Sequence, residues 1–312
     1  MASIASVPAP TALRQAIERA VATVVAVNDD VLEPVLCALL ARGHVLLEGN
    51  PGIGKTLLAR TLAQCIDCDF RRIQFTNDLM PSDIVGTAVW RSTAEDFAFV
   101  PGPLFANFVL ADEINRTSPR TLSCLLEAME AGRVTVDGRV HELGRPFLVL
   151  ATRNPIEFHG TYPVPEAALD RFLARVEMGY PAAAQERALY TGRDAEAALT
   201  EVRPVLSREQ LVAAQHAVTG VLVREPVAEY VLRVVAATRE HKNVALGASP
   251  RAALAWLRAA KARAWLAGRD FVLPDDLKAL AEPVLAHRVF LTDGGSANGF
   301  VREVLAGAPV PL

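Results

Sequence analysis

The sequence predicts an α/β fold: a parallel sheet flanked by helices, with β-hairpin insertions, followed by a smaller all-helical domain. Three observations predict it. A strand-length apolar run, residues 44–48, leads into a glycine-rich loop and then a helical pattern, which is how a parallel α/β unit opens. Runs at 70–75, 108–111 and 147–152 have the two-sided apolar character of strands covered by helices on both faces. Beyond about residue 181 the strand-like runs stop and helical patterns succeed one another. The boundary is placed there, giving an α/β domain over 1–181 and a helical domain over 182–312.

The elements follow in order. Residues 11–25 read as a helix, with Leu13, Ile17, Ala20 and Val24 recurring at helical spacing. A second helix covers 31–41. The strand at 44–48 and the loop beginning at Gly49 precede a helix over 57–66. Residues 117–129 form a further helix with Leu122, Leu125, Leu126 and Met129 on one side. Residues 134–143 alternate around Asp137-Gly138, a favoured two-residue hairpin turn, and 86–99 make a second hairpin with weaker turn chemistry. Helices are then expected at 208–218, 226–238, 250–266 and 275–288. Trp256 falls on one stripe with Ala253, Leu257, Ala260 and Ala264, and Val227, Val231, Val234 and Val235 form another; both read as packing faces. Arg258, Lys261 and Arg263 lie largely off the first stripe, as a solvated or an inter-subunit face.

Composition narrows the classes. The chain has 312 residues, 51% hydrophobic and 21% charged, ample for a core and unlike a disordered chain. The net charge of −3 gives no overall basic balance of the kind that accompanies nucleic-acid binding. The longest stretch free of Asp, Glu, Lys and Arg is 97–111, which contains Pro101, Gly102 and Pro103. A membrane span needs roughly 20 apolar residues, so none is expected, and without an apolar signal region near the start the chain reads as cytoplasmic. Cys65 and Cys68 form a CxxC pair. A zinc site needs a second pair of ligands and a thioredoxin-like site needs the pair at a helix start; the simpler reading is two apolar residues at a helix end.

The loop Gly49-Asn50-Pro51-Gly52-Ile53-Gly54-Lys55-Thr56, followed by Leu57, satisfies the pattern GxxxxGK[ST] in full. Glycines let the backbone wrap close to phosphates, successive N–H groups point inward, and the following helix adds its positive end. Lys55 is placed to reach the β- and γ-phosphates, and the Thr56 hydroxyl to ligate Mg²⁺. A chain of this length meets the pattern by chance about once in 100 cases at average residue usage. Such a site also needs a carboxylate for the metal and a group to orient the attacking water. Asp112 and Glu113, at the end of the 108–111 run, supply both: Asp112 for Mg²⁺, Glu113 to polarise water. Water as acceptor makes the chemistry hydrolysis rather than transfer to a second substrate.

Five strings, taken together and in order, resemble the MoxR family of AAA+ ATPases. They are Leu110-Ala111-Asp112-Glu113-Ile114-Asn115-Arg116, Leu125-Leu126-Glu127-Ala128-Met129, Gly160-Thr161-Tyr162-Pro163, Leu169-Asp170-Arg171-Phe172 and Gly247-Ala248-Ser249-Pro250-Arg251. The resemblance runs over roughly 30–310. It implies that Asn154 is sensor 1, a neutral amide for the lytic water or γ-phosphate. It implies that Arg171 is an arginine finger given to a neighbouring subunit, with Arg175, four residues on and on the same helical face, as the alternative. It implies that Arg251 is sensor 2, touching the γ-phosphate from the helical lid. Ser249 as N-cap and Pro250 at the first position place Arg251 in a first helical turn, where a cation is disfavoured unless an anion is near. The two hairpins match the family's insertions, which face a pore or a partner.

The same resemblance implies an ATP- and Mg²⁺-dependent ring motor, a homo-hexamer acting chaperone-like on a protein client in maturation or cofactor insertion, with a von Willebrand factor A domain partner. Alternatives are a nucleotide-gated binding module with little turnover, the motor subunit of a metal chelatase, and a nucleic-acid motor, which the charge and the want of an aromatic–basic run disfavour. Three positions depart from the family pattern: residues 24–30, beside the expected adenine site, Arg153 in place of Gln, and His159 in place of an acid.

Overall fold

The alternation of apolar side chains along three short runs explains the core. In Val45–Glu48 (β1), Phe108–Asp112 (β5) and Leu148–Arg153 (β8), successive side chains point to opposite faces. Val45, Leu47, Phe108, Leu110, Leu148 and Leu150 fall in one apolar cluster; Leu46, Val109, Val149 and Ala151 fall in another on the opposite face. The computed structural model describes residues 7–93, 95–154, 161–183, 186–187, 190 and 194–311. Within it these strands join Phe70–Gln74 (β2) and Ala174–Glu177 (β9) in a five-stranded sheet of order β2-β5-β8-β1-β9, with every pairing parallel.

Helices cover both faces. Pro10–Val24 (α1) buries one stripe against the first cluster, Lys55–Cys65 (α3) packs there as well, and Asp29–Leu40 (α2) is buried on nearly every side. Pro119–Ala131 (α5) buries Leu122, Leu125 and Met129 in the second. Its limits are local: the Ser118 side chain accepts from the Thr121 amide, and Gly132 turns left-handed at φ 64°. A one-turn helix, Pro81–Val85 (α4), leads into the first hairpin, Gly86–Arg91 (β3) with Asp96–Pro101 (β4). The second pairs Arg133–Val136 (β6) with Arg139–Glu142 (β7), and both turn residues have positive φ, Asp137 at 49° and Gly138 at 75°.

Three expectations need correcting. Strand β2 is not buried on both faces: it is a sheet edge, and Arg71, Arg72 and Gln74 are exposed. The strand β9 went unread, because Ala174-Arg175-Val176-Glu177 looks like a continuation of the helical turn before it. That turn, Glu166–Leu169 (α6), ends well short of Arg175, which pairs in register with Leu46. Arg175 therefore shares no helical face with Arg171.

The C-terminal part holds Ala195–Glu201 (α7), Arg208–Thr219 (α8), Glu225–Glu240 (α9), Pro250–Leu266 (α10), Pro274–Leu285 (α11) and Ala297–Gly307 (α12). A small antiparallel ribbon, Val244–Leu246 (β10) with Phe290–Leu291 (β11), joins them. Trp256 and the four valines of α9 are buried, and the Trp256 indole donates to the Leu277 carbonyl at 2.8 Å. The first core cluster runs from α1 and α2 into these helices without a break. The buried Gln215 amide donates to Leu39 O at 2.8 Å, and Arg263 pairs with both Glu33 (3.3 Å) and Asp276 (2.8 Å). Arg263 thus belongs to an intrachain network that ties the C-terminal helices to α2. Cys65 is buried and burial pushes its thiol up to about 11, as befits an apolar residue at a helix end. No helix among the described residues is long and apolar enough to cross a membrane.

Candidate functional site

The loop from Gly49 to Gly54 joins β1 to α3 at the carboxyl ends of the strands. Its three glycines all have positive φ, Gly52 at 82°. Gly54 has φ 93° and opens α3 in the left-handed region, where a side chain is strained. Gly49 has φ 153°, and a Cβ there would lie 2.4 Å from the Met178 carbonyl oxygen. Lys55 Nζ donates to the carbonyls of Gly49 (2.5 Å) and Asn50 (3.1 Å), folding the side chain back along the loop. Asn50 Nδ2 donates to the Tyr180 hydroxyl at 3.0 Å, and Ile53 is buried against the core.

A cleft of about 430 Å³ opens over this loop. Pro51, Gly52, Gly54, Lys55, Thr56 and Leu57 form its floor, Asp112, Glu113 and Asn154 its far wall, and Ala195 and Glu196 at the start of α7 one side. Arg60, Arg72 and Thr152 line it too; these three, Ala195 and Glu196 fall outside the sequence expectations, which cover the other lining residues together with Gly49, Asn50 and Ile53 of the loop.

The acidic wall is more elaborate than its sequence. Asp112 is buried and accepts on both oxygens: the Thr152 hydroxyl donates to Oδ1 at 2.5 Å, and Arg72 reaches Oδ2 at 2.5 and 3.1 Å. Glu113 has a left-handed backbone, φ 59°. Its amide donates to the Thr152 hydroxyl at 2.8 Å, and its Oε2 accepts from Gln74 (2.9 Å) and Arg116 (3.0 Å). Arg72 and Gln74 stand two apart on one face of the edge strand β2 and so hold one carboxylate each. Sequence reasoning missed both; the signal was that Arg71, Arg72 and Gln74 make half of the run 70–75 polar, with Arg72 and Gln74 at alternate positions. Asn154 is buried at the end of β8. The residue before it, Arg153, sits level with the residue before Gly49. Glu48 and Arg153 are in register on β1 and β8 and form an ion pair at 2.5 Å, with Glu48 buried.

The donor set fits a hard divalent cation. Thr56 and Asp112 present oxygen ligands to the same cleft, and Mg²⁺ characteristically takes one or two protein oxygens with nucleotide phosphates and waters completing its shell.

Arg171 and Arg251 do not line this cleft. They lie at the other end of the sheet. His44, just before β1, hydrogen-bonds Met129 O through Nε2 at 3.0 Å, and its own carbonyl accepts from the Leu173 amide at 2.8 Å. These contacts fix the end of α5 and the segment 171–173 at the amino edge of the strands, whereas the phosphate loop is at the carboxyl edge. A four-residue strand separates the two edges by about 13 Å. Arg251, expected to touch a γ-phosphate from the lid, is not among the residues lining the cleft over this chain's loop. Ser249 caps α10 as read, its side chain accepting from the Ala252 amide, but the anion beside Arg251 is a carboxylate: Glu130 Oε1, at 2.8 Å. Arg171 binds the other oxygen of the same group, at 3.0 Å. The hydrogen bond from Arg251 and the nearby Arg171 charge hold the Glu130 carboxyl below its ordinary value. Arg175, the alternative finger, instead donates to Asn298 Oδ1 at 3.3 Å, beside α12. His159 lies outside the described residues, as do residues 155–160 generally.

Comparison with known proteins agrees with this geometry. Residues 44–174 match the family model described as ATPase family associated with various cellular activities (AAA), and residues 236–304 match the AAA lid domain. The chain is 42% identical to the chaperone MoxR1 of Mycobacterium tuberculosis over 89% of its own length and 76% of the relative's. It is 47% identical to the uncharacterized protein YeaC of Bacillus subtilis, over 89% and 88% respectively. It is 33% identical to the protein MoxR of Methylorubrum extorquens, over 88% and 86%. Among solved structures, a candidate ATPase from Cytophaga hutchinsonii superposes with a TM-score of 0.87 at 34% identity, covering 97% of this chain and 96% of that one. With these relatives and the phosphate loop, acidic wall and arginine pair in place, the chain belongs to the MoxR family of AAA+ ATPases.

Proposed function

We propose that the protein hydrolyses ATP in a ring of identical subunits, each site being completed by arginines of the neighbour, and that the cycle does chaperone-like work on a protein client. One observation carries the reading. The groups that would bind and activate sit together in one cleft, while Arg171 and Arg251 sit as a pair at the opposite edge of the same sheet. A guanidinium pair that far from its own nucleotide is useful to a neighbour's. Arginine fingers supplied in trans are worth about 10³–10⁵ in rate where measured.

In this reading the loop amides and Lys55 bind the phosphates, Glu113 orients and polarises the attacking water, and Asn154 holds the water or γ-phosphate without repelling it. Thr56 and Asp112 would hold Mg²⁺, which when bound neutralises charge on the β- and γ-phosphates. Glu113 now shares its carboxylate with Gln74 and Arg116, so activating water requires it to loosen from one of them. The client role and a von Willebrand factor A domain partner are inferred from the family; the relative named a chaperone supports the former. The experiment is Mg²⁺-dependent ATPase activity per subunit as protein concentration rises. Activity that climbs steeply and then levels supports completion in trans. Activity that stays flat and appreciable down to demonstrably monomeric protein removes the ring and both arginine roles.

A further inference from the structure

We propose that Glu130 is a positioning residue: it holds Arg171 and Arg251 side by side, one on each carboxylate oxygen, as a single clamp for one phosphoryl group of a neighbouring copy's nucleotide. The proposal rests on the trans reading above and adds to it a residue that does not itself touch the nucleotide.

Helix electrostatics make the arrangement unusual. Glu130 stands in the last turn of α5, where an acid is disfavoured, and Arg251 in the first turn of α10, where a cation is disfavoured. Each is out of place on its own helix and satisfied by the other. Glu130 Oε2 takes Nη2 and Nε of Arg171 at 3.0 and 3.2 Å, and Oε1 takes Nη2 of Arg251 at 2.8 Å. Two oxygens of one carboxylate therefore set the spacing of two guanidiniums, much as two oxygens of one phosphate would. The array is anchored from behind. Arg251 Nη1 lies 3.8 Å from Asp170 Oδ2, and Asp170 Oδ1 accepts from the buried Arg288 at 2.8 Å.

The clamp remains open to a neighbour. The side chains of Glu130 and Arg251 are 45% and 54% exposed. A guanidinium carries five N–H donors, more than these contacts occupy. Without Glu130, two long cationic side chains would repel each other and explore separate rotamers; with it, that ordering is complete before a phosphate arrives.

The test compares Glu130→Ala, Glu130→Gln, Arg171→Ala/Arg251→Ala and the triple variant, at protein concentrations where sedimentation shows assembly. Glu130→Ala is expected to lower kcat by about 10–10²-fold, the effect of misplacing a catalytic group by an ångström or so. KM for ATP should stay unchanged, because the phosphate loop is at the other edge of the sheet. Glu130→Gln should behave like Ala, since an amide offers an acceptor to only one arginine. In the double-arginine background the Glu130 change should add nothing. A loss that multiplies in that background, an unchanged or raised kcat in Glu130→Ala, or loss of assembly in that variant overturns the positioning role. If Arg171→Ala/Arg251→Ala itself turns over like the parent, the trans reading fails first, and the proposal with it.

Discussion

Arg288 links the fold to the arginine clamp, and its removal makes a quantitative test. The residue lies just after α11 and is almost wholly buried, with 3% of its side chain exposed. Its guanidinium donates to Asp170 Oδ1 at 2.8 Å and to the carbonyls of Asp170 (3.0 Å), Phe172 (2.6 Å), Leu173 (3.2 Å) and Val284. Three of those carbonyls belong to the segment that carries Arg171. Replacing Arg288 with Met keeps the apolar stem and removes every one of these donors. Breaking a buried ion pair by deleting one partner costs about 3–5 kcal/mol. Asp170 is 27% exposed and keeps Arg251 nearby, which argues for the low end; the orphaned carbonyls, at about 1–3 kcal/mol for each that water cannot reach, argue for the high end. A loss of about 4 kcal/mol, at about 2 °C per kcal/mol for a chain of this size, lowers Tm by about 8 °C. Calorimetry and steady-state ATPase assays on Arg288→Met should show that drop together with reduced kcat and unchanged affinity for ATP. An unchanged Tm refutes the account of the carbonyl cluster. A weakened ATP affinity with kcat intact refutes the claim that this cluster serves the arginines rather than the phosphate loop.

Further outcomes follow from single residues. Gly49→Ala forces a Cβ to 2.4 Å from the Met178 carbonyl at a φ of 153°, so ATP binding measured by calorimetry should fall sharply while the circular dichroism spectrum is retained. His44 accepts from the Val149 amide at Nδ1 (3.0 Å), which leaves its proton on Nε2 to meet Met129 O. Burial holds this imidazole down at about 4. A folded value below the unfolded one near 6.5 means stability is complete above pH 6.5 and is lost as pH falls from there through about 4, at about 1.4 kcal/mol per pH unit. His44→Phe should make that part of the Tm–pH curve shallower, with the buried His287, also held well below its ordinary value by burial, supplying the remainder; a slope left unaltered by His44→Phe would contradict the assignment. Asp276 acts at lower pH. Burial pushes its carboxyl up, but bonds from Arg269, the Leu273 amide and Arg263 outweigh this and hold it below the ordinary value. Its contribution is therefore present above the unfolded carboxylate value and lost as pH drops through the folded one. Asp276→Asn should remove the most acidic portion of the Tm–pH slope; an unaltered slope would show that the three donors do not stabilise the charge.

Much of the site was legible because its chemistry is local. The phosphate loop needs glycine and lysine at fixed spacing within one strand–turn–helix unit, so Gly49 to Leu57 could be read directly, as could Asp112 and Glu113 at a strand end. Ser249 and Pro250 announced the start of α10 in the same way. What could not be read depends on residues far apart in sequence. Glu130 in isolation looks like a solvated charge on α5; its partners lie 41 and 121 residues away. The same holds for Arg72, whose role depends on β2 lying beside β5. Strand β9 escaped because four residues are too few for alternation to be told from a helical turn. That omission carried Arg175 onto the wrong element. Arg251 was read as touching a γ-phosphate from the lid, but not which subunit's, because sequence gives the start of a helix and not the edge of the sheet it faces.

The measurement that tests the central claim most directly mixes two inactive variants. Glu113→Gln should bind ATP without hydrolysing it, and Arg171→Ala should retain a whole cleft without its neighbour's arginine. If sites are completed in trans, each variant alone is nearly inactive and the mixture hydrolyses ATP, because an Arg171→Ala cleft then receives Arg171 from a Glu113→Gln neighbour. A mixture that assembles and remains as inactive as its components would contradict the account.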